Sequence, residues 1–489
     1  MLFGRVKPLE KLLAEGGDEH HGLKRSLGAG SLIAMGIGAI IGTGIFVLTG
    51  VAAATRSGPS LTLSFIVAGI TSAFAALCYS EVASRIPISG SAYTFAYASL
   101  GELIAWIIGW DLVLEYALGA ATVSIGWSGY FVTFLKNVFG IVVPDALKQS
   151  HWTVGAGGII SPTDGVFNLP AFGIICIIGF LLYRGTRESA IVNNIIVTLK
   201  VAVVLFFIAL GFGHVNQANW VPYFPFGITG MLGGAAFIFF AYIGFDAVST
   251  AAEESHNPKR DLPIGIIGSL AICTVLYIVV VAILTGIVKY TQLNVPSPVA
   301  FAMDHIGLGW ASAIISIGAI AGLTTVLLVM MFGQTRVFFS MSRDGLLPSV
   351  FSRIHPIFRT PGVSTIIFTV LIAITAGLTP IGIVGALTNM GTLAAFILVS
   401  AALPILRKRY PTNTGFKVPG PVWLIPTLSG LTAFGLMVSL AFGSPLWFGI
   451  PAPWLGFVVW LLIGFVIYFA YSRAHSTVGK AEGERPSTA

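Results

Sequence analysis

Gly36-Ile-Gly-Ala-Ile-Ile-Gly-Thr-Gly-Ile-Phe46 decides how the whole chain is read. It lies inside the first apolar run, about residues 28–53, and a run of roughly 20 apolar residues can cross a bilayer as a helix. Yet Gly36, Gly38, Gly42 and Gly44 crowd its centre. Glycine weakens a helix and lipid cannot satisfy bare backbone groups, so a break is tolerated only where protein packs on it or water reaches it. The pattern predicts two half-helices meeting at Gly42 to Gly44. The half starting at Gly44 would aim free N–H groups and a positive dipole end at the gap, and the half ending near Ile41 would leave carbonyls there. That polarity suits a zwitterion, carboxylate to the N–H side and ammonium to the carbonyl side. The same glycines have a second use, close helix packing, which their number alone does not exclude.

Of 489 residues, 56% are hydrophobic and only 9% charged, with a mean hydropathy of +0.91. Soluble domains carry about a quarter charged residues, so the chain reads as an all-α polytopic membrane protein. Its first 27 residues are polar with charges of both signs, unlike a cleavable signal peptide; Arg5 to Leu13 could form a short surface helix. Cys78, Cys176 and Cys273 sit singly in apolar runs and read as small core residues. The histidines, His20 and His21 among them, fall in loops and tails without ligand spacing. No metal cluster, cofactor motif, nucleophile–base pair or Walker signature occurs, which points away from ATP as an energy source.

Apolar runs lie at about 28–53, 60–84, 101–136, 167–183, 189–213, 229–252, 263–287, 307–341, 362–379, 383–406, 422–442 and 453–472. Twelve crossings would return the C-terminus to the side of the N-terminus. Lys and Arg of short loops gather on the cytoplasmic side. Of the 26 basic residues, 21 fall on the N-terminal side, including Lys11, Lys24, Arg25, Arg187 and Arg485. The other side holds Arg56, Lys136, Lys148 and Lys289, and Lys200 lies within a run. Both termini are therefore expected in the cytoplasm of a cell (plasma) membrane protein, and the net charge of +7 reports topology and not a nucleic-acid partner.

The sixth run repeats the peculiarity of the first: Gly227, Gly230, Gly233 and Gly234 precede Phe239-Phe-Ala-Tyr-Ile-Gly-Phe-Asp246, placing a second break near Ala241 to Gly244. Runs three and eight are too long for a perpendicular crossing and must tilt or project. The order broken, ordinary, long, ordinary, ordinary thus occurs twice, over 28–213 and 229–406, and the odd number inverts the second copy. A five-plus-five inverted repeat with discontinuous helices one and six marks a secondary transporter whose site lies at the midplane. Residues 1–27 and 473–489 read as cytoplasmic segments, and 422–472 holds two further helices.

Four stretches resemble the amino acid–polyamine–organocation superfamily, in particular its cationic amino acid transporter branch, along nearly the whole chain. They are Ile40-Ile-Gly-Thr-Gly-Ile-Phe46, Gly109-Trp-Asp-Leu-Val-Leu-Glu-Tyr116, Gly244-Phe-Asp-Ala-Val-Ser-Thr250 with Glu253-Glu-Ser-His-Asn-Pro-Lys-Arg-Asp-Leu-Pro263, and Arg336-Val-Phe-Phe-Ser-Met-Ser-Arg-Asp-Gly345. The resemblance implies the LeuT-like inverted-repeat fold, alternating access, and an amino acid held between the first and sixth helices.

Gly42, Thr43 and Gly44 form the expected carboxylate cradle, with backbone N–H groups and the Thr43 hydroxyl as donors. Carbonyls around Phe240, Ala241 and Ile243, with those of Ile40 and Ile41, are the matching ammonium partners, although Phe239 and Phe240 also suit a lipid-facing surface. Tyr242 and Phe245 are candidate gates. By the resemblance, Met330 stands where the cationic branch has a small residue at the side-chain end of the pocket. A flexible thioether would shorten that end, favouring small neutral or apolar amino acids such as alanine over arginine or lysine; Met is equally an ordinary core filler.

Lys200 sits mid-span in run five, where a charged lysine costs about 2.5–3.5 kcal/mol on insertion scales. In sodium-coupled members of this architecture a cation lies between helices one and eight, against helix five. A Lys200 ammonium there would replace the ion, and its proton would be the coupling ion; the other reading is a permanent charge on helix-one carbonyls. Glu115 either takes a second proton or braces helices, and Asp246 either pairs with a base or caps a half-helix. Glu253, Glu254, Lys259, Arg260, Arg336, Arg343 and Asp344 would form a charged rim locking the inner gate. The sum is a proton-coupled L-amino acid symporter whose partners are substrate, proton and lipid bilayer. A cationic amino acid transporter and an exchanger remain alternatives. A channel or an enzyme fits less well, since one chain supplies both halves and no reactive side chains converge.

Overall fold

Backbone groups in lipid find partners only inside the chain's own helices, and the computed structural model, which describes residues 5–7, 27–86, 92–185, 190–411 and 415–483, is built accordingly. Residues 8–13 of the possible surface helix, His20, His21, Lys11, Lys24, Arg25, Arg187, Arg485 and the Glu253 side chain lie outside the described residues. In chain order the main helices are α1 (Ala29–Ile40), α2 (44–57), α3 (Leu61–Arg85), α4 (Glu102–Phe139), α5 (Leu169–Arg184), α6 (Ala190–Gly211), α7 (Gly227–Tyr242), α8 (Phe245–Glu254), α9 (Pro258–Ile287), α10 (Gly309–Arg343), α11 (Gly362–Leu378), α12 (Ile381–Arg409), α13 (Leu424–Ser439) and α14 (Ala452–His475). Seven helical stretches among the described residues are long and apolar enough to cross a membrane, and shorter apolar helices accompany them. This is a multi-pass membrane protein.

One of the seven is a helical stretch of 42 residues from Gly44 to Arg85. A single helix of that length would measure about 63 Å, twice the hydrocarbon thickness, and the chain instead turns at Gly58, whose φ of +61° few other residues adopt. The 38 residues of Glu102–Phe139 and the 35 of Gly309–Arg343 correspond to about 57 and 52 Å, the excess length expected of runs three and eight. Helix starts follow local chemistry. Asn168 accepts from the Ala171 N–H at 3.2 Å and from the Ser128 hydroxyl at 2.7 Å, with Pro170 in the first turn of α5.

Helix α9 packs on both α1 and α3, α10 on α4, and α12 on α13. At one end of the bundle, Lys7 Nζ meets Asp344 Oδ1 at 2.9 Å, Tyr93 donates to the other Asp344 oxygen, and Thr477 N donates to the Asp344 carbonyl. The two ends of the chain therefore gather on the same end of the bundle, beneath α10. There too the buried Glu81 carboxylate collects Arg85, Arg407 and the Val418 N–H, fastening α3 to α12. At the opposite end, buried Arg56 donates to the Phe442 carbonyl at 2.7 Å and lies over the Phe237 ring, joining α2 to α7.

Candidate functional site

Both breaks are present, the first shifted slightly in register and the second within the expected Ala241 to Gly244. Helix α1 stops at Ile40, Ile41 is extended (ψ 103°), and the chain coils again from Thr43. The first break is therefore centred on Ile41 and Gly42 and not on Gly42 to Gly44. In the sixth run, Phe239–Tyr242 tighten into a 3₁₀ turn, Ile243 is extended and Gly244 takes a φ of +118° before α8 begins. A side chain at Gly244 would also meet the Ala39 carbonyl, so the two breaks face each other directly. The second contact is closer: a Cβ on Gly44 would fall on the Ala241 backbone.

The first N–H groups of α2, from Thr43 onward, have no intrahelical acceptor by helix geometry. The Thr43 hydroxyl beside them is buried and has no hydrogen-bond partner among the described residues. On the other side, Tyr277 of α9 donates to the Ile40 carbonyl at 2.8 Å and Lys200 Nζ donates to the Gly38 carbonyl at 2.6 Å. A carbonyl has two lone pairs, so Ile40 keeps one for a ligand. Ile40, Ile41, Phe240, Ala241, Ile243 and Met330 are all buried, which closes the break from solvent in this conformation. Beyond it, on the side away from the chain termini, a cavity of about 170 Å³ is floored by Val47, Val51, Ile125 and Gly129.

Lys200 reaches from α6 between two neighbours, with its ammonium on α1 and its methylenes against the position a Gly322 Cβ would take on α10. It thus lies between α1 and α10. No carboxylate among the described residues pairs with it. Glu115 sits in a π-helical turn, Leu114–Leu118, a distortion frequent at functional sites. It faces Asp246 and hydrogen-bonds Thr392 of α12, while its Oε1 has no partner among the described residues. Asp246 Oδ1 accepts from the Gly244 N–H at 3.3 Å, where α8 begins. Met330 meets the Gly119 face of α4, one helical turn beyond Glu115.

Other readings shift. Tyr242 donates to the Phe65 carbonyl and Phe245 packs on Tyr79 and Phe396, so in this conformation both candidate gates are anchored in core. Arg336 and Arg343 lie over Phe332 and Phe339 of their own helix, and Asp344 takes Lys7, so the rim is joined differently from the expectation. Sequence reasoning missed Tyr277 and Asn389, whose amide donates to the Ala236 and Phe237 carbonyls at 2.9 and 2.7 Å, where α7 tightens. A lone polar side chain in an apolar run was the available signal, because lipid gives it no partner. Removing the Tyr277 hydroxyl deletes one neutral hydrogen bond, worth about 0.5–1.5 kcal/mol. Tyr277→Phe should therefore slow transport by roughly threefold to tenfold while leaving expression unchanged, measured as initial uptake rate per reconstituted molecule.

The amino acid permease family model matches residues 27–477. The chain belongs to this family. The permease is 50% identical over 478 residues to the branched-chain amino acid permease BcaP of Bacillus subtilis (strain 168), covering 97% of this chain and 99% of the relative. It is 47% identical over 480 residues, with the same coverage, to the methylthioribose transporter of that organism. It is also 38% identical over 396 residues to the vacuolar cationic amino acid transporter 4 of Arabidopsis thaliana, covering 80% of the permease and 64% of the relative.

Proposed function

We propose that this permease is a proton-coupled symporter of neutral, apolar L-amino acids, working by alternating access across a cell membrane. In this reading the chain crosses twelve times with both termini cytoplasmic. Residues 28–213 and 229–406 are the inverted repeats. Thr43 with the N–H groups at Gly42 to Gly44 holds the carboxylate, and the Ile40, Ile41, Phe240, Ala241 and Ile243 region holds the ammonium. The observation that carries coupling is Lys200: a buried ammonium, 2.6 Å from the Gly38 carbonyl, with α10 against its stem. Losing its proton would turn a charge-assisted hydrogen bond into a weaker neutral one and so loosen α1 from α6, which ties the proton to the half-helix that must move. The apolar walls and the branched-chain relative favour an apolar cargo.

A second reading, cationic cargo or exchange, draws on the cationic relatives and on Glu115, one turn below the Met330–Gly119 contact, where a carboxylate oxygen lacks a partner. Uptake into proteoliposomes under an imposed pH gradient, with and without sodium, separates the readings. We expect labelled alanine, valine or leucine to accumulate when the outside is acidic, without sodium. Excess unlabelled arginine should compete at least tenfold less well than leucine, the discrimination that about 1.4 kcal/mol of differential binding gives. Sodium-dependent accumulation indifferent to pH would overturn the coupling, and stronger competition by arginine would overturn the cargo.

A further inference from the structure

We propose that the groove at the start of α9 binds an anionic phospholipid of the leaflet facing the chain termini. The groove has a volume of about 780 Å³ and is lined by Lys259, Arg260, Pro263, Ile264, Gly268 and Phe416, among others. Its two ends differ in chemistry. Lys259 and Arg260 stand exposed in the first turn of α9, and Arg260 makes no ion pair among the described residues. From there the wall becomes hydrocarbon: Ile264, Ile272 and Val275, on one face of the helix, are 39%, 43% and 62% exposed. An exposed apolar stripe on a membrane-crossing helix is the face turned to acyl chains, and it leads directly from two cations at the helix end. Basic pockets between helices at the membrane surface take phospholipid headgroups, because the negative surface and the local cations reinforce each other. A phosphate on Lys259 and Arg260 with one acyl chain lying along Ile264 and Gly268 satisfies both halves of the groove.

The position gives such a lipid a role. Helix α9 presents Gly265, Gly268 and Ser269 to α1, and a Cβ on Gly268 would lie 3.2 Å from Ile33. A chain seated at Gly268 therefore touches the edge of α1, bracing it against α9 until α1 swings. The choice of leaflet rests on the proposed orientation of the termini; the site itself does not.

Purified full-length protein in phosphatidylcholine nanodiscs, with or without phosphatidylglycerol, tests this by native mass spectrometry of retained lipid and by thermal melting, neither of which needs transport. Phosphatidylglycerol should be retained over phosphatidylcholine and should raise the melting temperature. Lys259→Gln with Arg260→Gln should weaken selective retention roughly tenfold or more, and Ile264→Trp, which fills the groove with both charges intact, should weaken retention as well. Arg353→Gln with Arg359→Gln, on exposed basic residues of the same end, should leave it unchanged. Retention unaltered in both the Lys259/Arg260 and the Ile264 variants, or lost equally in the Arg353/Arg359 variant, would overturn the site in favour of bulk surface charge. Retention lost only with Ile264→Trp would assign the groove to an uncharged lipid. A protein that binds the lipid in this manner but moves no amino acid would leave this inference standing and remove the transport reading.

Discussion

Replacing Lys200 by alanine should abolish accumulation of substrate driven by a pH gradient while leaving counterflow exchange at a substantial fraction of the wild-type rate. The ammonium is buried in the bundle, hydrogen-bonded to the Gly38 carbonyl at the end of α1, and its stem lies on Gly322. A charge in that setting costs free energy that only a function or a strong partner offsets, and the partner here is a single carbonyl. Protonated, Lys200 ties α6 to α1 next to the break through a charge-assisted hydrogen bond; deprotonated, it holds that carbonyl only as a weaker neutral donor. Substrate movement and proton movement are then linked because both act on the same half-helix. Without the amine, α1 is no longer answerable to protons, so a loaded carrier can still return loaded, which is exchange, but a gradient has nothing to drive. Accumulation and counterflow measured in the same liposomes check this. Full gradient-driven accumulation in the variant would move the coupling elsewhere, with Glu115 next in line because its unpartnered oxygen is buried in the distorted turn of α4. Lys200→Met, which keeps volume without the charge, separates the loss of the proton from the cavity that alanine leaves beside Gly322.

The helix breaks and the buried lysine are legible in the sequence for physical reasons. Lipid forbids unpaired backbone, so a cluster such as Gly36 to Gly44 in an apolar run had few meanings, and Lys200 was conspicuous because nothing else charged lies within its run. What could not be read was register and partnership. The first break opens at Ile41, one residue ahead of the glycines, while Gly44 already packs on Ala241. Tyr242 and Phe245 were expected at the gap because they adjoin it in sequence. Side chains on a tightened 3₁₀ turn leave in other directions, and these two leave into the aromatic core around Phe65 and Phe396. The partners of long-range donors such as Tyr277 and Asn389 were invisible, since no local pattern says which carbonyl 153 or 237 residues away a side chain will reach. The Lys7–Asp344 pair escaped for the same reason, and it replaced a rim inferred from charges close together in sequence.

A methyl group on Gly44 should be far more damaging than one on Gly42, although the two glycines stand two residues apart in the same motif. At Gly42 the new carbon would lie 3.3 Å from the Val326 side chain, which can give by a few tenths of an ångström. At Gly44 it would fall on Ala241, with the Ala241 nitrogen only 2.9 Å away. That obstacle is backbone and cannot rotate aside, so α2 and α7 must separate. Both uses foreseen for these glycines therefore coincide: close packing of the first and sixth runs is what brings the Thr43 cradle opposite the Ile243 break. A separation approaching 1 Å between groups that must hold one ligand together costs on the order of 100-fold in rate. Gly44→Ala should lose transport by about that factor and bind substrate weakly, whereas Gly42→Ala should stay within about threefold of wild type, as expected where a side-chain tip relaxes. Uptake and substrate-induced thermal stabilisation, measured on monodisperse protein of both variants, decide it. Equal activity in the two would mean that the half-helices do not close on each other during transport, and the pocket assigned here would have to be sought elsewhere in the bundle.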